Sequence, residues 1–227
     1  MEIIKTTGLT KIYRNNTLEV EAVKQVDLSI KEGEFTAIVG PSGSGKTTLF
    51  NMIGGLDDIT AGTVEIAGKD ISSLNENELI DFRLKHIGFV FQAYNLIPVL
   101  TAKENVAFIM LLQGLSEQER MERSEALLKQ VGLGDKFDSR PNQLSGGQQQ
   151  RVAVARALAS KPRFILADEP TANLDSHSTS TLLDLMAEMN KKENITFLFS
   201  THDQRVIDKA RRVITIEDGK IISDEKR

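Results

Sequence analysis

The chain has 227 residues, 40% hydrophobic and 26% charged, which is the composition of a soluble protein that can bury a substantial core. Its net charge of −4 argues against a sequence-independent nucleic-acid binder, so we expect no nucleic-acid partner. The lack of cysteine excludes disulfide bonds and cysteine-ligated zinc. We expect no secretory signal and no membrane span, because no apolar run reaches the roughly 18–20 residues that a span needs.

The predicted elements are mostly strands and helices in alternation. The first sixty residues or so are rich in strand formers, with a turn expected at Asn15-Asn16. Strands are predicted at Phe35–Val39, Gly62–Gly68, Ile87–Phe91, Phe164–Ala167, Ile195–Ser200 and Val213–Ile216, and helices at Lys46–Met52, Gln148–Ala159 and Ser176–Asn190. From about residue 93 the pattern becomes helical, and capping-box pairs at Thr101/Glu104 and Ser116/Glu119 indicate helix starts. We therefore predict an α/β fold with a mainly parallel sheet covered on both faces.

A glycine-rich loop follows the first buried strand. Residues Gly40 to Thr47 fit the pattern G-x-x-x-x-G-K-[ST] between a strand and a helix, where backbone N–H groups and a helix N-terminus together favour an anion. Lys46 is expected to reach the β- and γ-phosphates of ATP, and the Thr47 hydroxyl to ligate Mg²⁺. The candidate nucleotide-binding residues here are Gly40, Pro41, Ser42, Gly43, Ser44, Gly45, Lys46, Thr47 and Thr48. The alternative, a turn of purely structural use, fits this strand–loop–helix setting less well.

An acidic pair closes the apolar strand Phe164–Ala167. Its position at the carboxyl end of a buried strand is where ligands of open α/β sheets bind. Asp168 is placed to hold Mg²⁺, mostly through water, and Glu169 to act as general base for an attacking water. A solvated strand-end carboxylate pair is the alternative.

The segment Leu144-Ser145-Gly146-Gly147-Gln148 opens another predicted helix. Ser145, Gly146, Gly147 and Gln148 would form a second anion-receptive helix start, with a serine donor and glycines that allow close backbone approach. The chain then has two γ-phosphate-binding ends but a single loop lysine, Lys46. A head-to-tail pair of two copies resolves this mismatch, because each segment can face the partner's phosphate loop. A glycine helix cap without ligand is the alternative.

With these three motifs in this order, the chain resembles the nucleotide-binding subunit of ATP-binding-cassette (ABC) transporters over essentially its whole length. The resemblance implies a single ABC ATPase domain with a P-loop NTPase core and an N-terminal antiparallel β subdomain, at about 1–92 and 160–227. A helical subdomain is expected to be inserted at about 93–159 and to include the Ser145–Gln148 segment.

The resemblance also assigns residues that are weak signals alone. Gln92 resembles the glutamine that senses Mg²⁺ and water, and we count it among both the catalytic and the metal-site candidates. Asn173-Leu174-Asp175 resembles the loop that contacts the other subunit's site, which makes Asp175 a nucleotide-site candidate. His202 resembles the switch histidine that bonds the γ-phosphate. Tyr13 resembles the aromatic that stacks on adenine, a contact that tolerates any base.

Four runs are similar to one branch of this family, which contains lipoprotein-releasing and macrolide-exporting systems. They are Gly88–Gln92, Asn95–Thr101, Gln148–Arg151 and Ile165–Pro170. That branch commonly has Thr-Gly-Asn-Leu-Asp where this chain has Ala172 in second place, which weakens assignment to the lipoprotein-releasing type itself. The branch implies a partner permease with a large extracytoplasmic domain, bound by the ATPase on the cytoplasmic face of the membrane. We expect the permease to dock at Gln92–Ala107; the alternative is that this apolar run is core of the helical subdomain.

Other functions remain open at this point. Cell-division and antimicrobial-peptide resistance complexes belong to the same branch. Soluble ABC ATPases of translation, chromosome maintenance or excision repair are a different class, and the sequence disfavours each of them. The chain has one cassette, a gap before Ser145 too short for a long coiled coil, and no cysteine for zinc sites.

Overall fold

A computed structural model describes residues 1–15 and 18–227. The turn expected at Asn15-Asn16 therefore lies in part outside the described residues. In chain order the strands are β1 (Glu2–Asn15), β2 (Leu18–Lys31), β3 (Phe35–Val39), β4 (Ala61–Ile66), β5 (Lys69–Asp70), β6 (Ile87–Val90), β7 (Phe164–Asp168), β8 (Thr196–Ser200), β9 (Arg212–Glu217) and β10 (Lys220–Lys226). The helices are α1 (Lys46–Ile53), α2 (Glu76–His86), α3 (Ala102–Leu112), α4 (Glu117–Gln130), α5 (Gly146–Ala159), α6 (Ser176–Glu193) and α7 (Gln204–Lys209).

The central sheet has six strands in the order β10-β9-β3-β8-β7-β6. All neighbours from β9 to β6 pair in parallel, and β10 adds an antiparallel edge. Residues along each strand alternate between the two faces, so that Phe35 and Ala37 join one hydrophobic cluster and Ile38 joins another. Both faces are covered, which confirms the predicted fold class.

A four-stranded antiparallel sheet, β2-β1-β4-β5, lies on one face of the central sheet. Its buried side chains, among them Ile4, Val26 and Val64, share a cluster with Leu49 of α1 and Leu166 of β7. This packing holds α1, the helix that follows the glycine loop, between the two sheets.

The helices α3, α4 and α5 cover the opposite face together with α6. Residues of α3 to α6 and of the central strands form one continuous cluster. Capping boxes start α3 at Thr101 and α4 at Ser116, as the sequence predicts, and each N-cap stabilises its helix by about 1 kcal/mol. A separate helical subdomain at about 93–159 stays a prediction.

Some elements were not predicted. Helix α2 begins with a capping box at Asn75 and Glu78 and buries Phe82, and α7 and β10 are also additional. The predicted strands and helices have ends within three residues of the observed ones. Within the described ranges, no helix is both long and apolar enough to cross a membrane.

Candidate functional site

Four neighbouring strands bring their carboxyl ends to one edge of the central sheet. The glycine loop follows β3, Gln92 follows β6, Glu169 follows β7 and His202 follows β8. These segments surround an open cleft of about 510 Å³. It is lined by Ala22, Gly40, Pro41, Ser42, Gly43, Gly45, Lys46, Thr47, Thr48, Gln92, Glu169, Ala172 and His202. The parallel topology thus collects residues from four distant parts of the sequence, as open α/β sheets do.

The glycine loop is built on backbone conformations that only glycine adopts freely. Gly45 has φ 100° and is the N-cap of α1, with no side-chain cap on the helix. A Cβ there would lie 2.3 Å from the carbonyl oxygen of Ala22. Gly43 has φ 80°, and a Cβ there would meet no atom within 4 Å, since it faces open space. The loop therefore presents the uncapped start of α1 to the cleft, which suits an anion.

Lys46 lies beneath this loop and is buried. Its Nζ donates to the carbonyl oxygens of Gly40 at 2.8 Å and Pro41 at 2.9 Å. Ser44 is the loop residue that the structure places elsewhere: it is buried, it does not line the cleft in the described structure, and its N–H donates to Pro41. Because both of its acceptors are loop carbonyls, the Lys46 ammonium lies inside the glycine loop, at the place that a bound anion would occupy.

The ends of β7 and β8 each carry a buried polar atom without a hydrogen-bond partner in the described structure. Asp168 Oδ1 and Ser200 Oγ are both buried and have no hydrogen-bond partner in the described structure. Burial raises the pKa of Asp168, and the neighbouring hydroxyls of Ser200 and Thr47 oppose that rise. Among the described residues, no group of three or more His, Asp or Glu side chains is arranged to hold a metal ion by itself. The partly buried carboxylate of Asp168 and the hydroxyl of the exposed Thr47 fit Mg²⁺, which keeps several waters and takes further ligands from substrate phosphates.

Glu169 adopts an uncommon backbone conformation, with φ 46°. Its N–H donates to the Ser200 carbonyl at 2.8 Å. Its carboxylate is held on both sides, by His202 Nδ1 at 2.7 Å on Oε1 and by Thr201 Oγ1 at 3.4 Å on Oε2. The Glu169 side chain is 17% exposed and that of His202 73%. With Glu169 ionised, Nδ1 must carry the proton, so that the histidine presents a donor to the carboxylate and its ring to the cleft.

Gln92 is exposed at the cleft and is tied to the loop at Asn173. The Asn173 Nδ2 donates to the Gln92 carbonyl at 3.1 Å. Asp175 in the same loop is the N-cap of α6, where its Oδ1 accepts from the Ser178 N–H at 2.9 Å. Asp175 therefore lies at a helix start outside the cleft lining.

The segment Ser145–Gln148 forms the start of α5. Ser145 is the N-cap, and a capping box with Gln148 satisfies both residues' backbone N–H groups. Gly147 packs so closely on α6 that a Cβ would lie 2.6 Å from Ser178 Oγ. In the described structure none of the candidates Ser145, Gly146, Gly147, Gln148 and Asp175 lines the cleft. The starts of α1 and α5 are thus separate, and an anion-binding role for the start of α5 stays a prediction.

Tyr13 lies on β1 with its ring partly exposed. The hydroxyl donates to Asp57 Oδ2 at 2.5 Å, and Lys11 Nζ lies 4.9 Å from the ring centroid. Burial, followed by the hydrogen bond to Asp57, raises the pKa of Tyr13. Among the described residues that line the cleft, Tyr13 is absent and Ala22 of the adjacent strand is present. Its role with a nucleotide base stays a prediction. Ala22 and Ala172, both in the lining, carry no chemical signal that a sequence pattern could reveal.

Comparison with known proteins agrees with this geometry. The profile of the ABC transporter family matches residues 23–172, a range that contains the glycine loop, the Ser145–Gln148 segment and the Asp168-Glu169 pair. The chain belongs to the ABC transporter family.

Relatives of this ABC cassette carry functional names. It is 46% identical to the lipoprotein-releasing system ATP-binding protein LolD of Anaeromyxobacter dehalogenans, over 97% of this chain and 93% of LolD. It is 45% identical to the macrolide export ATP-binding/permease protein MacB of Aggregatibacter actinomycetemcomitans, but spans only 35% of that protein's length. A solved structure of the ATP-binding cassette MJ0796, described as dimeric and bound to ADP and Pi, matches with a TM-score of 0.91 and 44% identity, over 99% of this chain and 98% of that one.

Proposed function

We propose that this ABC cassette is an ATP-hydrolysing subunit that acts as a pair of copies on the cytoplasmic face of a membrane and drives a permease of the LolD and MacB kind. One observation carries the proposal. The cleft is lined by the loop lysine, by Thr47 and Gln92 and by Glu169, whereas the second proposed anion-binding helix start, Ser145–Gln148, lies outside it. Each set is half of a nucleotide site.

A head-to-tail pair of two copies would complete both half-sites. Two copies related by a two-fold axis place the Ser145–Gln148 segment of each over the cleft of the other. The dimeric state described for the similar MJ0796 cassette supports this arrangement. Ser178 lies against Gly147 and donates to Asp175 at the start of α6, so the same approach brings Asp175 towards the shared boundary.

The polar residues in and beside the cleft then have distinct roles. Bound Mg²⁺, held by Asp168, Thr47 and Gln92, would neutralise phosphate charge. Lys46 is released from its two loop carbonyls to contact phosphate oxygens. Glu169 accepts a proton from the attacking water, and His202 keeps its carboxylate oriented through the 2.7 Å hydrogen bond.

The permease contact is proposed for Gln92–Ala107. In this run Leu96 packs against the main hydrophobic cluster, whereas Val99 is 73% exposed and Pro98 is also exposed. The run is therefore part core and part accessible surface. The names of LolD and MacB, which refer to a releasing system and a permease, support a partner of this type.

Glu169→Gln tests the composite site directly. With MgATP this variant is expected to bind nucleotide, fail to hydrolyse it and accumulate as a closed dimer in size-exclusion chromatography. Lys46→Ala is the matched control, which is expected to stay monomeric because it loses its phosphate contact. A Glu169→Gln protein that stays monomeric contradicts the paired site.

Copurification of the same variant from membranes in mild detergent with MgATP tests the partner. A permease with a large external domain supports the transport role. A division-machinery partner would assign the same ATPase to envelope remodelling, and exclusively soluble partners contradict the membrane role.

A further inference from the structure

Helix α5 carries a fully buried amide, Gln150, whose side-chain hydrogen bonds in the described structure go to two segments that adjoin the catalytic cleft. Its exposed fraction is 0%. Nε2 donates to the carbonyl oxygen of Pro170 at 2.8 Å and to that of Phe91 at 3.3 Å. Both partners accept hydrogen bonds only, so Nε2 must face them and the orientation of the amide is fixed. Oε1 is buried without a partner in the described structure.

The two carbonyls flank the two candidate groups that act on water. Phe91 is the residue before Gln92, and Pro170 is the residue after Glu169. One amide therefore joins the chain at both places. Pro170 has no N–H of its own, and Glu169 is held at φ 46°, so the hydrogen bond from Gln150 fixes the Pro170–Thr171 peptide, one residue beyond the strained Glu169.

We propose that Gln150 is a positioning residue, which sets the backbone of Gln92 and of Glu169 relative to each other and to helix α5. This inference rests on the proposed function. Ser145, the N-cap of α5, lies five residues earlier on the same helix, which is less than two turns. In the paired state, a displacement of α5 by nucleotide at the partner's cleft is passed through Gln150 to the water-activating groups of its own cleft.

Gln150→Met tests the positioning role, because methionine has nearly the same volume and no donor. We expect kcat for ATP hydrolysis to fall by about 10- to 100-fold, the effect of misplacing a catalytic group by about 1 Å. KM for ATP is expected to stay within about twofold, because in the described structure the hydrogen bonds of the Gln150 side chain go to Phe91 and Pro170 and not to the phosphate loop.

Asn190→Leu is the matched control. Asn190 is also a buried amide that donates to backbone carbonyls, those of Gly33 at 3.0 Å and Ile195 at 2.6 Å, at the opposite end of the strands. Its loss is expected to lower the melting temperature without lowering kcat. A kcat for Gln150→Met within twofold of wild type, or an equal fall in Asn190→Leu, overturns the proposal.

A double variant separates this role from a general effect on α5. In the Glu169→Gln background the positioned carboxylate is already absent, so adding Gln150→Met is expected to leave the ATP-induced dimer intact. Loss of that dimer would show that Gln150 maintains the Ser145 end of the helix, and would overturn positioning. Wild-type hydrolysis and the Glu169→Gln dimer report separately on the proposed function.

Gln150→Glu covers the case in which the methionine variant folds poorly. Only the protonated carboxyl can donate to Pro170, and burial raises the pKa of such a group. Its kcat relative to wild type, at a temperature where the protein is folded, is expected to rise as the pH falls from about 8 to about 6. A ratio that does not change with pH overturns the need for a donor at this position.

Discussion

Glu169 Oε1 and His202 Nδ1 meet at 2.7 Å, although the two residues are 33 positions apart in the chain. The contact follows from the pairing of β7 with β8, in which Asp168 and Ser200 are in register. The residues just beyond this pair, on neighbouring parallel strands, leave the sheet side by side. The candidate general base thus has one strong hydrogen-bond donor, on an exposed side chain.

His202→Ala removes that donor. Among the described residues, Glu169 would then keep only the longer side-chain contact from Thr201 at 3.4 Å. We expect kcat to fall by about 10²-fold, within the usual range for disturbing general-base catalysis, with a smaller change in the Kd for ATP. Phosphate-release kinetics and equilibrium binding measure the two quantities. His202→Gln, which retains a donor, is expected to lose less, and equal activity in the two variants contradicts this role.

Gly43 and Gly45 are predicted to respond differently to alanine. At Gly45 a Cβ would overlap the Ala22 carbonyl at 2.3 Å and strain φ 100°, so Gly45→Ala is expected to lower the free energy of unfolding by about 2–5 kcal/mol. At Gly43 the space is open, and Gly43→Ala is expected to cost about 1–2 kcal/mol while its methyl group obstructs nucleotide.

Urea unfolding and ATP binding of both variants distinguish these effects. Gly43→Ala should fold and bind ATP weakly, whereas Gly45→Ala should mainly lose stability. The opposite ranking in stability would mean that the close approach of Gly45 to Ala22 does not determine the conformation of the loop.

The sequence predicts much of this site because its strongest signals are local. The glycine loop and the Asp168-Glu169 pair adjoin recognisable strands, and parallel strands place their carboxyl ends together. Strand order cannot be predicted from local signals in this way. Strand β3 pairs with β8, about 160 residues later, and no sequence periodicity encodes that pairing. Gln150 illustrates the same limit: it is one of three consecutive glutamines, and only packing shows which amide is buried.

An ion pair at the end of the central strands opposite the cleft leads to a prediction about pH. Arg212 is buried and binds both carboxylate oxygens of Asp224 at 2.7 Å, as well as Glu34 at 2.9 Å. The hydrogen bonds from Arg212 are the main reason that the pKa of Asp224 is lowered. A carboxyl whose folded pKa is lowered contributes stability above its unfolded pKa, about 3.9, and that stability is lost as the pH falls through the folded pKa.

Asp224→Asn is therefore expected to lower the free energy of unfolding at neutral pH, by only about 1 kcal/mol because the Asp224 side chain is 42% exposed and solvent screens the pair. The difference from wild type should shrink as the pH falls below about 4. Urea unfolding across this pH range measures it. Glu225→Gln is the matched control, since Glu225 is an exposed neighbour without an ion pair in the described structure, and it should change stability little at any pH. A deficit in Asp224→Asn that persists unchanged at acidic pH would place its cause in packing, because the charge of Asp224 is then already gone in both states.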